Sequence, residues 1–275
     1  MTHVPAERCL SIIQLLADEA GEMPLGEIAN RLKLPKSGAH RLLATLVKHG
    51  WAEQDPQTGF YRLTMRLAIL GQQFYAATGI PDVCQPLLDR LAAHSREFVR
   101  LAVVDTDALV WVAHAQGNKG GLMYQPSLAS NTVPLYATAS GKAWLATLPP
   151  TAIARMIRKN GGFEDADLYG PNVVRSMEAL GRKLDTTRRR GYGVAISEAE
   201  PGVTAVAAAI QSGPAGPVVA TVSVAGPGLR MPDQRVRDLA PIVIAAAAEL
   251  SALWPLRLQG ARRLGHTNAA RHRAA

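Results

Sequence analysis

The chain has 275 residues, nearly half of them hydrophobic, and a formal net charge of +8. This length suits about two domains, each able to bury a core. Two distant cysteines, Cys9 and Cys84, exclude a disulfide framework or a cysteine-based zinc site, and no apolar run approaches the ~20 residues of a membrane helix.

The N-terminus interrupts its apolar residues with charges and lacks a signal-peptide layout, so the expectation is a cytoplasmic protein in a reducing compartment, without metal or cofactor. The positive charge is unevenly placed. Five arginines without an acid lie beyond Leu256, whereas residues 1–64 balance seven cations against seven acids. Within that balanced region, Arg31 to Lys48 holds five cations and no acid, and a local patch of this kind says more about partners than the total does.

In chain order, a first helix is predicted from Ala6 to Ala20, with Leu10, Ile13, Leu16 and Ala17 inward and Gly21 ending it. A second spans Leu25 to Leu32. Lys33-Leu34-Pro35 makes a turn, and Pro35 suits a helix start. The third helix runs to His49, with Gly50 as its cap. Ala39, Leu42, Leu43, Leu46 and Val47 recur at helical spacing, leaving Lys36, Ser37, His40, Arg41, Thr45 and Lys48 on the other face. Strands at Trp51–Gln54 and Phe60–Leu63, joined by the Asp55–Gly59 turn, complete a winged helix-turn-helix over 1–64.

Residues 65–80 read as a linker helix whose exposed apolar positions suit dimer contacts. Residues 81–255 mix helices and strands: a helix at Val83–Ser95, strands at Val99–Asp105 and Leu109–Gln116, and an extended Leu122–Pro134. Helices follow at Gly141–Thr147, Ala152–Lys159 and Ser176–Arg190. Strands at Gly193–Ile196, Val203–Gln211 and Val218–Val224 precede a closing helix at Asp233–Trp254. This order predicts an α+β domain on an antiparallel sheet able to enclose a ligand. Residues 256–275 lack periodicity and read as a disordered basic tail.

Three segments together resemble the IclR family of bacterial transcriptional regulators: RLKLPKSGAHRLLATLVKHGW with the wing DPQTGFYRL, then VPLYATASGKAWLA, then GYGVAISEAEPGVTAVAAAIQ with ATVSVAGPGLR. The similarity covers roughly Val4 to Trp254. It implies a DNA-binding homodimer or homotetramer whose C-terminal, GAF-like domain binds a small metabolite and shifts operator affinity.

For DNA, the start of the third helix is expected in the major groove, where N-terminal helix residues reach base edges. Lys36 and Ser37 are placed for phosphates, Arg41 for a guanine edge, His40 and Thr45 beside it, and Arg62 near the wing. Gly38 departs from the family, which usually carries Thr there.

For the effector, the Thr138–Lys142 segment resembles part of a phosphate loop but lacks its leading glycine, since position 136 is Tyr136. It fits a helix N-terminus favouring a carboxylate, or simple capping by Ser140. The resemblance implies that Ala139, Ser140 and Gly141 meet the effector's acid group and that Ala195, Ala205, Ser223 and Ala225 line the pocket. With Ser223 the sole hydroxyl of those four strand positions, the effector is expected to be larger and more apolar than glyoxylate or pyruvate, an aromatic or medium-chain acid. Glu198 and Glu200 read as exposed loop acids, and Arg188–Arg190 as a solvated helix end.

A catalytic α+β domain with an accessory winged helix is the competing reading. No G-x-S-x-G or H-E-x-x-H occurs, so the chain is expected not to be an enzyme.

Overall fold

The computed structural model describes residues 4–19, 21–118, 120, 123–125, 132–213 and 216–271, with side chains described through Trp254. Two compact units, Met1–Ala77 and Thr78–Ala275, divide the chain.

The first unit contains α1 (Val4–Glu19), α2 (Leu25–Arg31), α3 (Lys36–Lys48), β1 (Ala52–Gln54), β2 (Tyr61–Leu63) and α4 (Arg66–Ala77). Its core joins Ile12 and Leu16 of α1 to Ile28, Leu43, Leu46 and Tyr61. The inward face of α1 therefore differs from the predicted one: Leu10 and Ala17 are exposed. Leu10, Ile12, Ile13, Leu15 and Leu16 exceed what one stripe can bury, and the i, i+4 pair Ile12–Leu16 takes the centre. Lys33, between α2 and α3, has a positive φ of 52°. It reverses the chain where Leu34 N–H reaches the Ala29 carbonyl at 2.8 Å.

The wing is a register-defined hairpin, with Glu53 opposite Arg62. Its turn is held by the Asp55 carboxylate, which accepts from the Thr58 and Gln57 amides at 2.7 and 2.8 Å. Those amide bonds hold the carboxyl below its ordinary pKa. Helix α4 buries none of its residues, and Leu67, Ile69, Leu70 and Phe74 are exposed.

In the second unit α5 (Ile80–Ser95) starts three residues before the predicted Val83, because Gly79 takes a left-handed N-cap conformation and Pro81 suits the first turn. Strands β3 (Phe98–Asp105), β4 (Ala108–Gln116), β5 (Gly193–Ile196), β6 (Val203–Gln211) and β7 (Val218–Pro227) form one antiparallel sheet in the order β4-β3-β7-β6-β5. Helices α6 (Ala139–Leu145), α7 (Pro150–Lys159) and α8 (Met177–Arg190), with a 3-10 turn at Ala166–Leu168, precede β5.

The sheet is covered on both faces. Val99, Leu101, Val206, Ile210, Val222 and Val224 pack with α5 and the closing helix α9 (Asp233–Arg271). Alternate residues on the same strands face α6. There Ala139, Ala143, Ala195 and Ala207 form a cluster of small side chains that lets α6 lie close. A Cβ on Gly193 would stand 2.2 Å from the Ala139 carbonyl oxygen. Helix α9 extends beyond the predicted end at Trp254 to Arg271, where Leu, Ala and Arg favour helix. Residues 272–275 of the predicted tail lie outside the described residues.

Candidate functional site

The surface expected to face DNA is built by α3. Its buried face is Ala39, Leu43 and Leu46, which turns Lys36, Ser37, His40, Arg41 and Thr45 outward, all exposed. The N-cap is Pro35 and no side chain among the described residues caps the helix, so its first N–H groups are left for an outside acceptor. Lys33, Lys36, Arg41 and Lys48 make no ion pair among the described residues. Arg31 and Arg62, by contrast, are engaged. Arg31 pairs with Glu19 and with Glu27, and Arg62 donates to Glu22 and Glu53, both at 2.6 Å. Both guanidinium pKa values are raised by those partners. Thr45 donates its hydroxyl to the Arg41 carbonyl at 3.0 Å and keeps its lone pairs. At Gly38, an added Cβ would meet only the Pro35 ring, at 3.9 Å.

A cavity of about 500 Å³ lies in the second unit, between the sheet and the segments around α6 and α7. Of the residues the sequence placed there, Ala139, Ser140, Ala195, Ala205, Ser223 and Ala225 line it. Gly141 does not. Its N–H is bound by the Thr138 hydroxyl at 2.9 Å, and a Cβ on it would stand 2.1 Å from the Leu135 carbonyl oxygen. Thr138, rather than Ser140, is thus the N-cap of α6, because the capping oxygen must reach the amide three residues on. Gly141 is small for packing reasons. Ser140 is freed from capping, and its buried Oγ has no hydrogen-bond partner among the described residues.

The polar groups of the cavity are mainly ones that the sequence did not place there. Arg100 of β3 stands opposite Ser223 in the sheet register and shares its face. Its guanidinium lies 4.7 Å from the Trp111 ring centroid and 5.2 Å from that of Phe98. Burial lowers its pKa, while Tyr124 and Glu200 pull it back up, and a guanidinium so placed stays charged. Its buried Nη2 has no hydrogen-bond partner among the described residues. Glu200, predicted as an exposed loop acid, lines the cavity and accepts the Tyr124 hydroxyl at 2.7 Å. Asp165 accepts from Tyr136 and, at 2.9 Å, from Tyr169. A cation amid the apolar strand FVRLAVV was the available signal for Arg100.

Glu198 is not an exposed loop acid either: it is buried, 2.6 Å from Lys142 Nζ. Lys142 turns away from the cavity and donates to the Val194 carbonyl at 3.0 Å as well. Burial lowers its pKa to about 8 against the pull of Glu198. Arg190 is half-buried over Tyr192, 4.6 Å from its ring centroid, rather than fully solvated. Cys84 is buried, which pushes its thiol up to about 11 and removes it as a reactive group.

A winged helix with a free cationic face, joined in one chain to a unit that encloses a polar cavity, is the architecture of a ligand-responsive DNA-binding regulator. The sequence comparisons agree. The family described as IclR helix-turn-helix domain matches residues 5–56, and that described as Bacterial transcriptional regulator IclR C-terminal matches 72–252. The HTH-type transcriptional regulator BhcR of Paracoccus denitrificans is 34% identical over 89% of this chain and 85% of its own length. The transcriptional repressor IclR of Escherichia coli is 29% identical over 89% and 87%.

Among solved structures, an IclR transcriptional regulator from Alicyclobacillus acidocaldarius superposes with a TM-score of 0.76 at 24% identity, covering 93% of this chain and all of that one. An IclR homolog from Microbacterium hydrocarbonoxydans, complexed with 4-hydroxybenzoate, gives 0.71 at 24% identity over 91% and 98%. The chain belongs to the IclR family of bacterial transcriptional regulators. With the matched families regulatory, the enzymatic alternative falls away.

Proposed function

We propose that this regulator reads its operator through Lys36, Ser37, His40, Arg41 and Thr45 of α3 and responds to an organic acid held by Arg100. The carrying observation is the pairing, in one cavity, of a guanidinium nitrogen and a serine hydroxyl that are both buried and both without a partner among the described residues. A buried polar group without a partner costs about 1–3 kcal/mol, and a carboxylate meets both deficits at once. The Trp111 ring, which lines the cavity beside Arg100, gives an aromatic or aliphatic skeleton a surface to pack on. Ala195, Ala205 and Ala225 leave room beside Ser223 for a body larger than a two- or three-carbon acid.

On DNA, Arg41 reads a base edge while Lys36 and Ser37 hold phosphates at the helix N-terminus. Arg62, clamped by two glutamates, steadies the wing and contributes less charge to the backbone. Ligand binding changes operator affinity by its differential affinity for the two states of the protein and by no more. A homodimer or homotetramer in the cytoplasm is the assembly we infer, supported by the exposed apolar face of α4 and by the free cysteines.

The test is calorimetry of the full chain against a panel of aliphatic and aromatic acids, together with their amides, and gel shifts on the DNA upstream of its own gene. The acids bind, their amides do not, and Arg100→Ala removes binding. Equal binding of an acid and its amide overturns the reading.

A further inference from the structure

Among the described residues, the cavity wall carries one cation, Arg100, and two carboxylates, Glu200 and Asp165. A simple monoanion answers only the first of these. Glu200 is accounted for: it takes the Tyr124 hydroxyl and acts on Arg100 from nearby. Asp165 is not. It sits on the segment between α7 and the 3-10 turn, and makes no ion pair among the described residues. Tyr136 and Tyr169 donate one hydroxyl to each of its oxygens. Both phenols are pushed up, Tyr169 to about 12, first by burial and then by Asp165, so they remain donors at neutral pH. Each carboxylate oxygen has a second acceptor site, and among the described residues neither accepts a further hydrogen bond. The two tyrosines fix the carboxylate in place, as a preorganised acceptor.

We infer that the effector carries two functional groups, an acid bound at Arg100 and Ser140 and a hydrogen-bond donor, hydroxyl or ammonium, bound at Asp165. This rests on the organic-acid reading and adds Asp165 as its specificity-determining residue. The two anchors belong to different parts of the fold, β3 and the segment after α7. That segment begins at Gly161 and Gly162, both at positive φ and both with open space where a Cβ would be. A ligand touching both anchors ties this wall to the sheet.

The experiment is calorimetry on the full chain with matched acids that differ only in the donor: 4-hydroxybenzoate, benzoate and 4-methoxybenzoate, and 6-hydroxyhexanoate beside hexanoate. A polar site that loses its ligand partner discriminates by roughly ten- to a hundredfold. The expected result is therefore at least tenfold tighter binding of one donor-bearing acid over its donor-free match. That ratio collapses to about one in Asp165→Ala, while Asp165→Asn, which keeps an acceptor oxygen, retains part of it. Donor-free acids that bind as tightly as their partners, with binding still lost in Arg100→Ala, overturn this inference and leave the organic-acid reading standing. If none of the acids binds, both fall.

Discussion

Removing Lys142 tests how the ligand-binding unit is held together. Its ammonium is fully buried, 2.6 Å from a Glu198 carboxylate whose side chain is 2% exposed. At an effective dielectric of about 20, the attraction is about 6 kcal/mol, and the desolvation of two buried ions offsets most of it. The pair therefore adds little net stability relative to apolar residues, but breaking it does not. Lys142→Met strands the carboxylate, at a cost of about 3–5 kcal/mol. Lys183, 3.4 Å from the other Glu198 oxygen and half-exposed, supplies partial compensation and puts the loss near about 3 kcal/mol. For a unit the size of Thr78–Ala275 that lowers Tm by about 6–12 °C.

Adding Glu198→Leu restores stability to within about 1 kcal/mol of wild type, since no ion is then stranded. Glu198→Gln gives a third reading. Lys142, already lowered to about 8, loses the neighbour that raises it and falls further. Between that folded value and the ordinary 10.5, the unfolded chain binds more protons, so the variant gains stability as pH rises from 7 to 10. Thermal and urea unfolding of the four proteins decides the matter. A Lys142→Met protein as stable as wild type, or a double variant no better than the single, refutes the stranded-charge account.

Arg41→Ala weakens operator binding at least tenfold and reduces the slope of log affinity against log salt by about 1 if it also touches phosphate, as read by gel shift across a salt series. Arg62→Ala changes affinity less than threefold in the same assay, because the removed charge was already paired with Glu22 and Glu53. Gly38→Ala has room on the helix and raises the stability of the first unit by about 0.5 kcal/mol, measurable by urea unfolding. Gly141→Ala forces its Cβ into the Leu135 backbone and destabilises the second unit by about 3 kcal/mol or more, with acid binding lost in calorimetry.

Much of the molecule is legible in its sequence. Helix α3 was readable because Ala39, Leu43 and Leu46 repeat at helical spacing, and that periodicity assigns the opposite face to solvent without knowledge of the rest of the fold. The antiparallel sheet was readable from strands in close succession. Boundaries slipped where a single backbone conformation decided them, as at Gly79 before α5 and at Thr138 rather than Ser140 before α6. In the cavity, Ala139, Ser140, Ala195, Ala205, Ser223 and Ala225 were reached through family resemblance. Periodicity alone marks these small residues as ordinary strand and helix positions.

What the sequence determined by itself is local: periodicity fixes which face of a helix or strand is apolar, and an acid-free run of cations fixes where one sign of charge collects. Charge pairing is not local. Glu198 meets Lys142, Arg62 meets Glu22, and Arg230 meets Glu97 across intervals of 56, 40 and 133 residues. Only the packed chain brings such partners within the few ångströms over which they neutralise each other. For that reason tertiary structure alone decided that Lys142 is buried behind the cavity, while Arg100, in the middle of an apolar strand, is the cation that faces it.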